Sequence, residues 1–137
     1  MNSIRGLFNI SLTRNGDEIR LHEYNRGIEE QIPVSVRDKF IRKLFNTISV
    51  IEEDANFSNS QITSLGNLQR IGGNAYFRNS QVTDLGNLKR IGGDAYFTSS
   101  QVTDLGNLQS IEGDAYFRNS QVTDLGNLKR IGRDAYF

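Results

Sequence analysis

A chain of 137 residues and 15.5 kDa has the length of one domain, or of a repeat module with a cap. Sixteen basic and sixteen acidic residues give a formal net charge of +0, which argues against a global attraction to nucleic acid or to an anionic membrane. The lack of cysteine excludes disulfides and thiolate chemistry. No apolar run reaches the roughly 18 residues of a membrane span, and no continuous apolar core of a signal peptide opens the chain. We therefore expect a cytoplasmic protein.

Residues 1–44 differ in kind from the rest of the chain and are predicted to form an N-terminal cap. Two extended runs, Leu7–Thr13 and Asp17–Tyr24, flank an Asn-Gly pair that favours the tight turn of a β-hairpin. After Pro33, apolar residues at helical spacing predict an amphipathic helix over about 36–47. Its other faces carry Arg37, Lys39, Arg42 and Lys43. These four side chains form either a small basic patch for an acidic partner or an ordinary solvated face.

Residues 45–137 consist of a 20-residue repeat. Residues 65–84 and 85–104 differ at four of twenty positions, 105–124 continue the series, and 125–137 stop inside a unit. Residues 45–64 align with these units without a gap, so the chain contains four complete coils and one partial coil. A fixed period of this length is typical of a solenoid, in which each coil buries its apolar side against its neighbours.

The spacing of apolar residues within one unit predicts the path of a coil. The segment Ala95-Tyr96-Phe97 alternates in-out-in, as a strand does, and lies between turn-forming Gly-Gly and Ser-Ser pairs. Val102, flanked by polar residues, predicts a second short extended piece. The Leu-Gly-Asn-Leu segment suits a tight, 3₁₀-like turn. This path is mainly β, and it places Phe77, Phe97 and Phe117 in one inward column.

The coils resemble the leucine-rich repeat in a short bacterial form, and also the coils of receptor L domains. The family frame L-x-L-x-x-N-x-L corresponds to residues 95–102, and the resemblance covers residues 45–137. It implies a right-handed solenoid with a parallel sheet and a binding role, without naming a ligand. Ala95 departs from the frame at the first Leu position, and Ser100 departs at the Asn position. We expect the Ser hydroxyl to bond a neighbouring coil's backbone.

Residues twenty apart fall into columns about 4.7–4.9 Å from coil to coil. On the outer side of the predicted strand, an aromatic column lies between an acidic and a partly basic one. Tyr and Arg are enriched at interface hot spots, so the sequence predicts a protein-binding face. Its residues are Tyr76, Tyr96, Tyr116, Tyr136, Arg78, Arg118, Asp94 and Asp114. Alternatively, the tyrosines stack and pair with their neighbours as a purely structural ladder.

The acidic column of Asp84, Asp104 and Asp124 has two interpretations. Carboxylates favour hard cations, but capping of the next turn's backbone N–H groups is the preferred explanation. With a single histidine, His22, and no close carboxylate pair in an evident cleft, we predict no catalytic residue, metal or cofactor. The predicted function is therefore a non-enzymatic protein-binding module, such as a small inhibitor that blocks a macromolecular partner. The alternatives are a fragment of a longer repeat protein and nucleic-acid binding by the Tyr/Arg face with the basic helix, which the neutral net charge disfavours.

The final coil is predicted to associate with a second copy. Uncovered apolar coil ends and strand edges are association sites, and a two-fold dimer is the simplest closed arrangement. In this dimer the strand at 134–137 would pair antiparallel with its copy. The predicted interface consists of Leu125, Leu128, Ile131, Asp134, Ala135, Tyr136 and Phe137. A truncated chain, or a partner that supplies the missing cap, would account for the same features.

Overall fold

The architecture is taken from a computed structural model, which describes residues 45–46, 48–58 and 63–137 fully, and residues 3–4, 8–13, 16–23 and 28–32 as backbone strands. The first four strands are β1 (Ser3–Ile4), β2 (Phe8–Thr13), β3 (Gly16–Glu23) and β4 (Ile28–Ile32). The remaining strands have two residues each: β5 (Val50–Ile51), β6 (Ala55–Asn56), β7 (Arg70–Ile71), β8 (Ala75–Tyr76), β9 (Arg90–Ile91), β10 (Ala95–Tyr96), β11 (Ser110–Ile111), β12 (Ala115–Tyr116), β13 (Arg130–Ile131) and β14 (Ala135–Tyr136). Residues 45 and 46 are helical.

The strands form a parallel β-solenoid with two sheets. Every coil contributes one strand to a six-stranded sheet, ordered β1-β5-β7-β9-β11-β13, and one to an eight-stranded sheet, ordered β14-β12-β10-β8-β6-β2-β3-β4. Ala95 pairs with Ala75 on one side and with Ala115 on the other. The predicted mainly β fold of 20-residue coils with parallel strands is therefore confirmed.

The inward columns form one continuous apolar core. Leu85, Leu88, Ile91 and Phe97 have no exposed surface, and their equivalents in the two preceding units are buried as well. The Phe97 ring stacks between Phe77 and Phe117, with centroid distances of 5.2 and 5.4 Å. The predicted inward Phe column is confirmed.

The tight turn predicted at Leu-Gly-Asn-Leu is also present. The Leu88 N–H donates to the Leu85 carbonyl at 3.0 Å, and Gly86 adopts φ +58°, a left-handed conformation that is easiest for glycine. The Asn87 amide donates to the Gly66 carbonyl of the preceding coil at 3.3 Å. Each such turn is therefore closed locally and tied to the coil before it.

Two details of the coil differ from the prediction. The second strand lies at Arg90–Ile91, before the Gly-Gly turn, whereas the segment around Val102 has only single bridges at the flanking acidic column. Among the described residues, the Ser80 and Ser100 hydroxyls are buried without a hydrogen-bond partner, so the expected bond to a neighbouring coil's backbone is wrong for both. At this position an Asn amide reaches further and offers more donors than a Ser hydroxyl.

The N-terminal strands continue both sheets of the solenoid. β2 pairs parallel with β6 and antiparallel with β3, and β3 pairs antiparallel with β4, which is an edge strand of the eight-stranded sheet. β1 pairs parallel with β5 in the six-stranded sheet. The predicted amphipathic helix lies outside the described residues, except for its helical positions 45 and 46, and so do its basic residues. The division into a cap and a solenoid stays a prediction.

Candidate functional site: the outer face of the eight-stranded sheet

The four predicted tyrosines form one stacked column on the outer face of the eight-stranded sheet. Ring centroids are 4.9 Å apart between Tyr76 and Tyr96, 4.7 Å between Tyr96 and Tyr116, and 5.0 Å between Tyr116 and Tyr136. The planes are within 8° of parallel, because near-identical coils stack in register. The first three residues are half-buried and Tyr136 is 46% exposed. Stacking therefore occupies both faces of the Tyr96 and Tyr116 rings and one face each of Tyr76 and Tyr136, which leaves the ring edges for contact with a ligand.

The acidic column beside the tyrosines is bound into the backbone. The Asp94 Oδ1 accepts from the Asp114 N–H of the next coil at 2.7 Å, and its Oδ2 accepts from the Tyr96 hydroxyl at 3.3 Å. Asp114 accepts in the same two ways, from the Asp134 N–H at 3.0 Å and from the Tyr116 hydroxyl at 3.2 Å. Both carboxylates predicted at the site are thus half-buried and engaged. They hold the tyrosine hydroxyls in place.

Asn74 occupies the same column, but it donates a hydrogen bond to its tyrosine hydroxyl instead of accepting one. Its Oδ1 accepts from the Asp94 N–H at 2.8 Å, whereas its amide donates to the Tyr76 hydroxyl at 3.1 Å. The link between coils is therefore kept, but the carboxylate beside the phenol is lost. The chain thus contains a neutral counterpart of the Asp–Tyr pair.

The carboxylates and the packing of the column favour neutral phenols. Burial, then the nearby Asp94 charge, raises the pKa of Tyr96 from 10.0 to about 12. The same two kinds of cause raise the pKa of Tyr116, and the Asp134 charge followed by burial raises the pKa of Tyr136. A phenolate in this column would lie beside a carboxylate in partly dehydrated surroundings. The phenols of Tyr96, Tyr116 and Tyr136 therefore stay protonated at neutral pH.

The two predicted arginines flank the tyrosine column on its other side. Arg78 and Arg118 are exposed and lie two coils apart, with the half-buried Thr98 between them. Within the described part of the chain, neither guanidinium makes an ion pair of 4.0 Å or less. Both cations are therefore available to a ligand that also contacts the tyrosine edges.

The exposed acidic column on a third side of the coil serves the next turn. The carboxylates of Asp84, Asp104 and Asp124 accept from the N–H groups of the glycines two residues later at 2.8, 2.6 and 2.7 Å. Ser64 occupies the same column and accepts from the Gly66 N–H at 3.1 Å. The predicted capping role is confirmed. Across the described ranges, no group of three potential metal-ligating side chains comes together.

The residues predicted to form a dimer interface lie on the last coil with graded exposure. Leu128 and Ile131 are half-buried against the core, whereas Asp134 and Ala135 are exposed. Leu125 is 41% exposed and Phe137 is 77% exposed. The Phe137 ring stacks on Phe117 at 5.1 Å. Association through this coil stays a prediction.

Sequence reasoning missed a second outer face, that of the six-stranded sheet. Its exposed side chains are mainly cationic: Arg70, Lys89, Arg90, Lys129 and Arg130. Glu112 bridges the Nε atoms of Arg90 and Arg130 at 3.4 and 3.3 Å, across the coil in which Ser110 replaces the arginine. The sequence shows these cations recurring at multiples of 20 residues. This spacing indicates a common outer face only once a strand is placed at Arg90–Ile91.

Comparisons with known proteins add no identification to this geometry. No family model, curated protein or solved structure matches the chain. Within the residues that the structure describes, none of the helical segments has the length and apolar character needed to cross a bilayer.

Proposed function

We propose that this protein is a non-enzymatic binding module that holds another protein against the outer face of its eight-stranded sheet. The observation that carries the proposal is the tyrosine column flanked by two cations that have no ion pair within the described residues. Tyr and Arg contribute strongly to interfaces because they combine large contact area with hydrogen-bonding groups. Here the column is already ordered, so binding costs little additional side-chain entropy.

The acidic column has a supporting part in this proposal. Because both Asp94 oxygens and both Asp114 oxygens are already engaged, these residues fix the tyrosines rather than contact the partner. The partner would contact the ring edges together with Arg78 and Arg118. An inhibitor that blocks its target with this face, in the cytoplasm, is the form of the function we propose. The resemblance to leucine-rich repeats supports a binding role in the same way.

The test uses a substitution that the repeat itself supplies. Thr98 occupies the column of Arg78 and Arg118, so the double variant Arg78→Thr/Arg118→Thr should fold normally. Its matched control is Lys89→Gln/Lys129→Gln on the other sheet, where Gln69 and Gln109 occupy the same column. Tagged proteins are used to capture partners from a lysate of the native host, with identification by mass spectrometry.

We expect the arginine variant to lose a partner that the wild type and the lysine control both retain. Tyr96→Ala/Tyr116→Ala should lose the same partner while the circular dichroism spectrum is unchanged. Retention of the partner by both face variants, each correctly folded, would place the interface elsewhere. Loss of folding in the tyrosine variant alone would support the structural-ladder interpretation.

A further inference from the structure

The charges of the solenoid are separated onto different sides of the coil. The outer face of the six-stranded sheet, here called the basic face, carries Arg70, Lys89, Arg90, Lys129 and Arg130, with the carboxylates of Glu52 and Glu112 in one column beside them. A second surface of the coil follows the strand of the eight-stranded sheet in the sequence of each repeat and carries Asp84, Asp104 and Asp124. This surface is called the acidic ridge here. The chain therefore has two surfaces of opposite charge although its formal net charge is +0.

Neither surface is neutralised within the described part of the chain. Glu112 pairs with Arg90 and Arg130, but Arg70, Lys89 and Lys129 make no ion pair there. Each carboxylate of the acidic ridge receives one backbone N–H at Oδ1, which leaves its Oδ2 without a cation. Like charges repeated from coil to coil repel each other, so both surfaces gain from contact with opposite charge.

The two surfaces also share one spacing. Both are generated by the same 20-residue repeat, and Asp84, Asp104 and Asp124 are joined by parallel bridges from coil to coil. The cationic strands are likewise in parallel register, with Arg70 opposite Arg90. Adjacent coils are about 4.7–4.9 Å apart, so the aspartates and the Arg70/Arg90 pair repeat at this distance, whereas Lys89 and Lys129, like Arg90 and Arg130, are two coils apart. Because the cations lie at one or two coil spacings from each other, a register that aligns one cation with one carboxylate can align a second cation with another carboxylate.

We propose that the basic face docks the acidic ridge of a second copy of this chain, so that solenoids associate side by side. The matching sign and matching spacing select this occupant. Phosphates along one strand of duplex DNA advance by about 3.4 Å and do not share the period of the coils. The tyrosine column belongs to neither surface, so this inference does not depend on the proposed function.

The symmetry of such a contact predicts how the assembly grows. The contact joins two different surfaces, and each associated pair retains one free basic face and one free acidic ridge. An interface of this type grows into an open filament, or into a ring where the rotation between copies closes. Exposed ion pairs are individually weak and are screened by salt, so the assembly should be weak, concentration-dependent and salt-sensitive.

The experiment measures the average mass of the purified full chain by sedimentation and light scattering. At about 0.01 M salt, where the screening length is roughly 30 Å, the mass should rise with protein concentration. At about 1 M salt, where that length is roughly 3 Å, it should fall to a concentration-independent value. A mass at low salt that does not rise with concentration would overturn the proposal.

Two variants inactivate one surface each without disturbing the coil. Lys89→Glu/Lys129→Glu reverses two exposed, unpaired charges of the basic face. Asp104→Asn/Asp124→Asn neutralises the acidic ridge but keeps an oxygen for the glycine N–H, a substitution supported by the uncharged Ser64 cap in the same column. We expect each variant alone to lose the salt-sensitive growth, with its circular dichroism spectrum unchanged.

A mixture of the two variants tests directly whether the basic face of one molecule binds the acidic ridge of another. The lysine variant keeps its acidic ridge and the aspartate variant keeps its basic face, so an equimolar mixture should form one-to-one pairs that grow no further. Growth that survives both variants would assign the association to another surface, such as the final coil, and would overturn the proposal. The proposal is equally overturned if the wild type does not self-associate and instead binds a labelled oligonucleotide that Lys89→Glu/Lys129→Glu fails to bind.

Discussion

Replacement of Phe97 by alanine perturbs the centre of the solenoid core. The Phe97 side chain has no exposed surface and contacts an aromatic ring on each side, at 5.2 and 5.4 Å. Truncation of a buried Phe to Ala costs about 3–5 kcal/mol. The sheets hold the flanking rings at the coil spacing and limit collapse into the cavity, so we expect a loss of about 4–5 kcal/mol in the free energy of unfolding. This is a large part of the roughly 5–15 kcal/mol available to a typical domain.

The assay is urea-induced unfolding followed by circular dichroism, and the same column supplies the control. Phe137 is 77% exposed and has a ring neighbour on one side, so Phe137→Ala should cost less than about 1 kcal/mol. If Phe97→Ala lost no more stability than Phe137→Ala, the reasoning that assigns the Phe column to the core would be refuted.

The remaining predictions concern a buried hydroxyl, alkaline pH and association of the final coil. Because the Ser100 hydroxyl is buried without a hydrogen-bond partner in the described part of the chain, Ser100→Ala should leave stability unchanged or raise it by up to about 1 kcal/mol in urea unfolding; a loss of stability of more than about 1 kcal/mol would reveal a hydrogen bond. Tyr96 has its pKa raised from 10.0 to about 12, so the folded state retains a proton that the unfolded state loses. The contribution of this shift to the free energy of unfolding is complete below pH 10 and declines as the pH rises toward 12. Tyr96→Phe should weaken this alkaline loss of stability, and an equal loss in the variant would contradict the assignment. Association through the final coil is tested at about 1 M salt, where charge-driven association is screened. Light scattering at micromolar concentration should show a dimer that is lost in Phe137→Asp or Ile131→Asp. A monodisperse monomer would eliminate association through the final coil.

The columns of the solenoid could be predicted because near-identical units repeat without insertion. Once Phe97 is assigned inward and Tyr96 outward, the 20-residue period transfers both assignments to the other coils. The strand Arg90–Ile91 could not be found in this way. Lys89 and Arg90 are both polar and glycines follow Ile91, so this segment lacks the in-out-in alternation of Ala95-Tyr96-Phe97. The strand exists because its backbone meets the equivalent backbone of the coils on either side.

The hydrogen bonding within the columns was less accessible to sequence reasoning. The sequence places Asp94 beside Tyr96, but the double engagement of its carboxylate depends on the distance to the next coil's N–H. Ser100 shows the opposite case, since its hydroxyl occupies an apparent hydrogen-bonding position but has no partner among the residues that the structure describes. Ser99 adopts φ +56° at a position where Asn79 and Asn119 fit the left-handed region better. These details depend on distances of a few tenths of an ångström, which residue patterns do not specify.

The central claim, that the outer face of the eight-stranded sheet holds a protein partner, is tested most directly by site-specific photo-crosslinking. A photoactivatable side chain is placed at Thr98, between the two predicted arginines, or at Thr103, which is exposed on another side of the coil. Our account predicts a specific cross-link to one host protein from position 98, its disappearance in the Arg78→Thr/Arg118→Thr background, and none from position 103. Equal labelling from both positions, or labelling only from position 103, would contradict it.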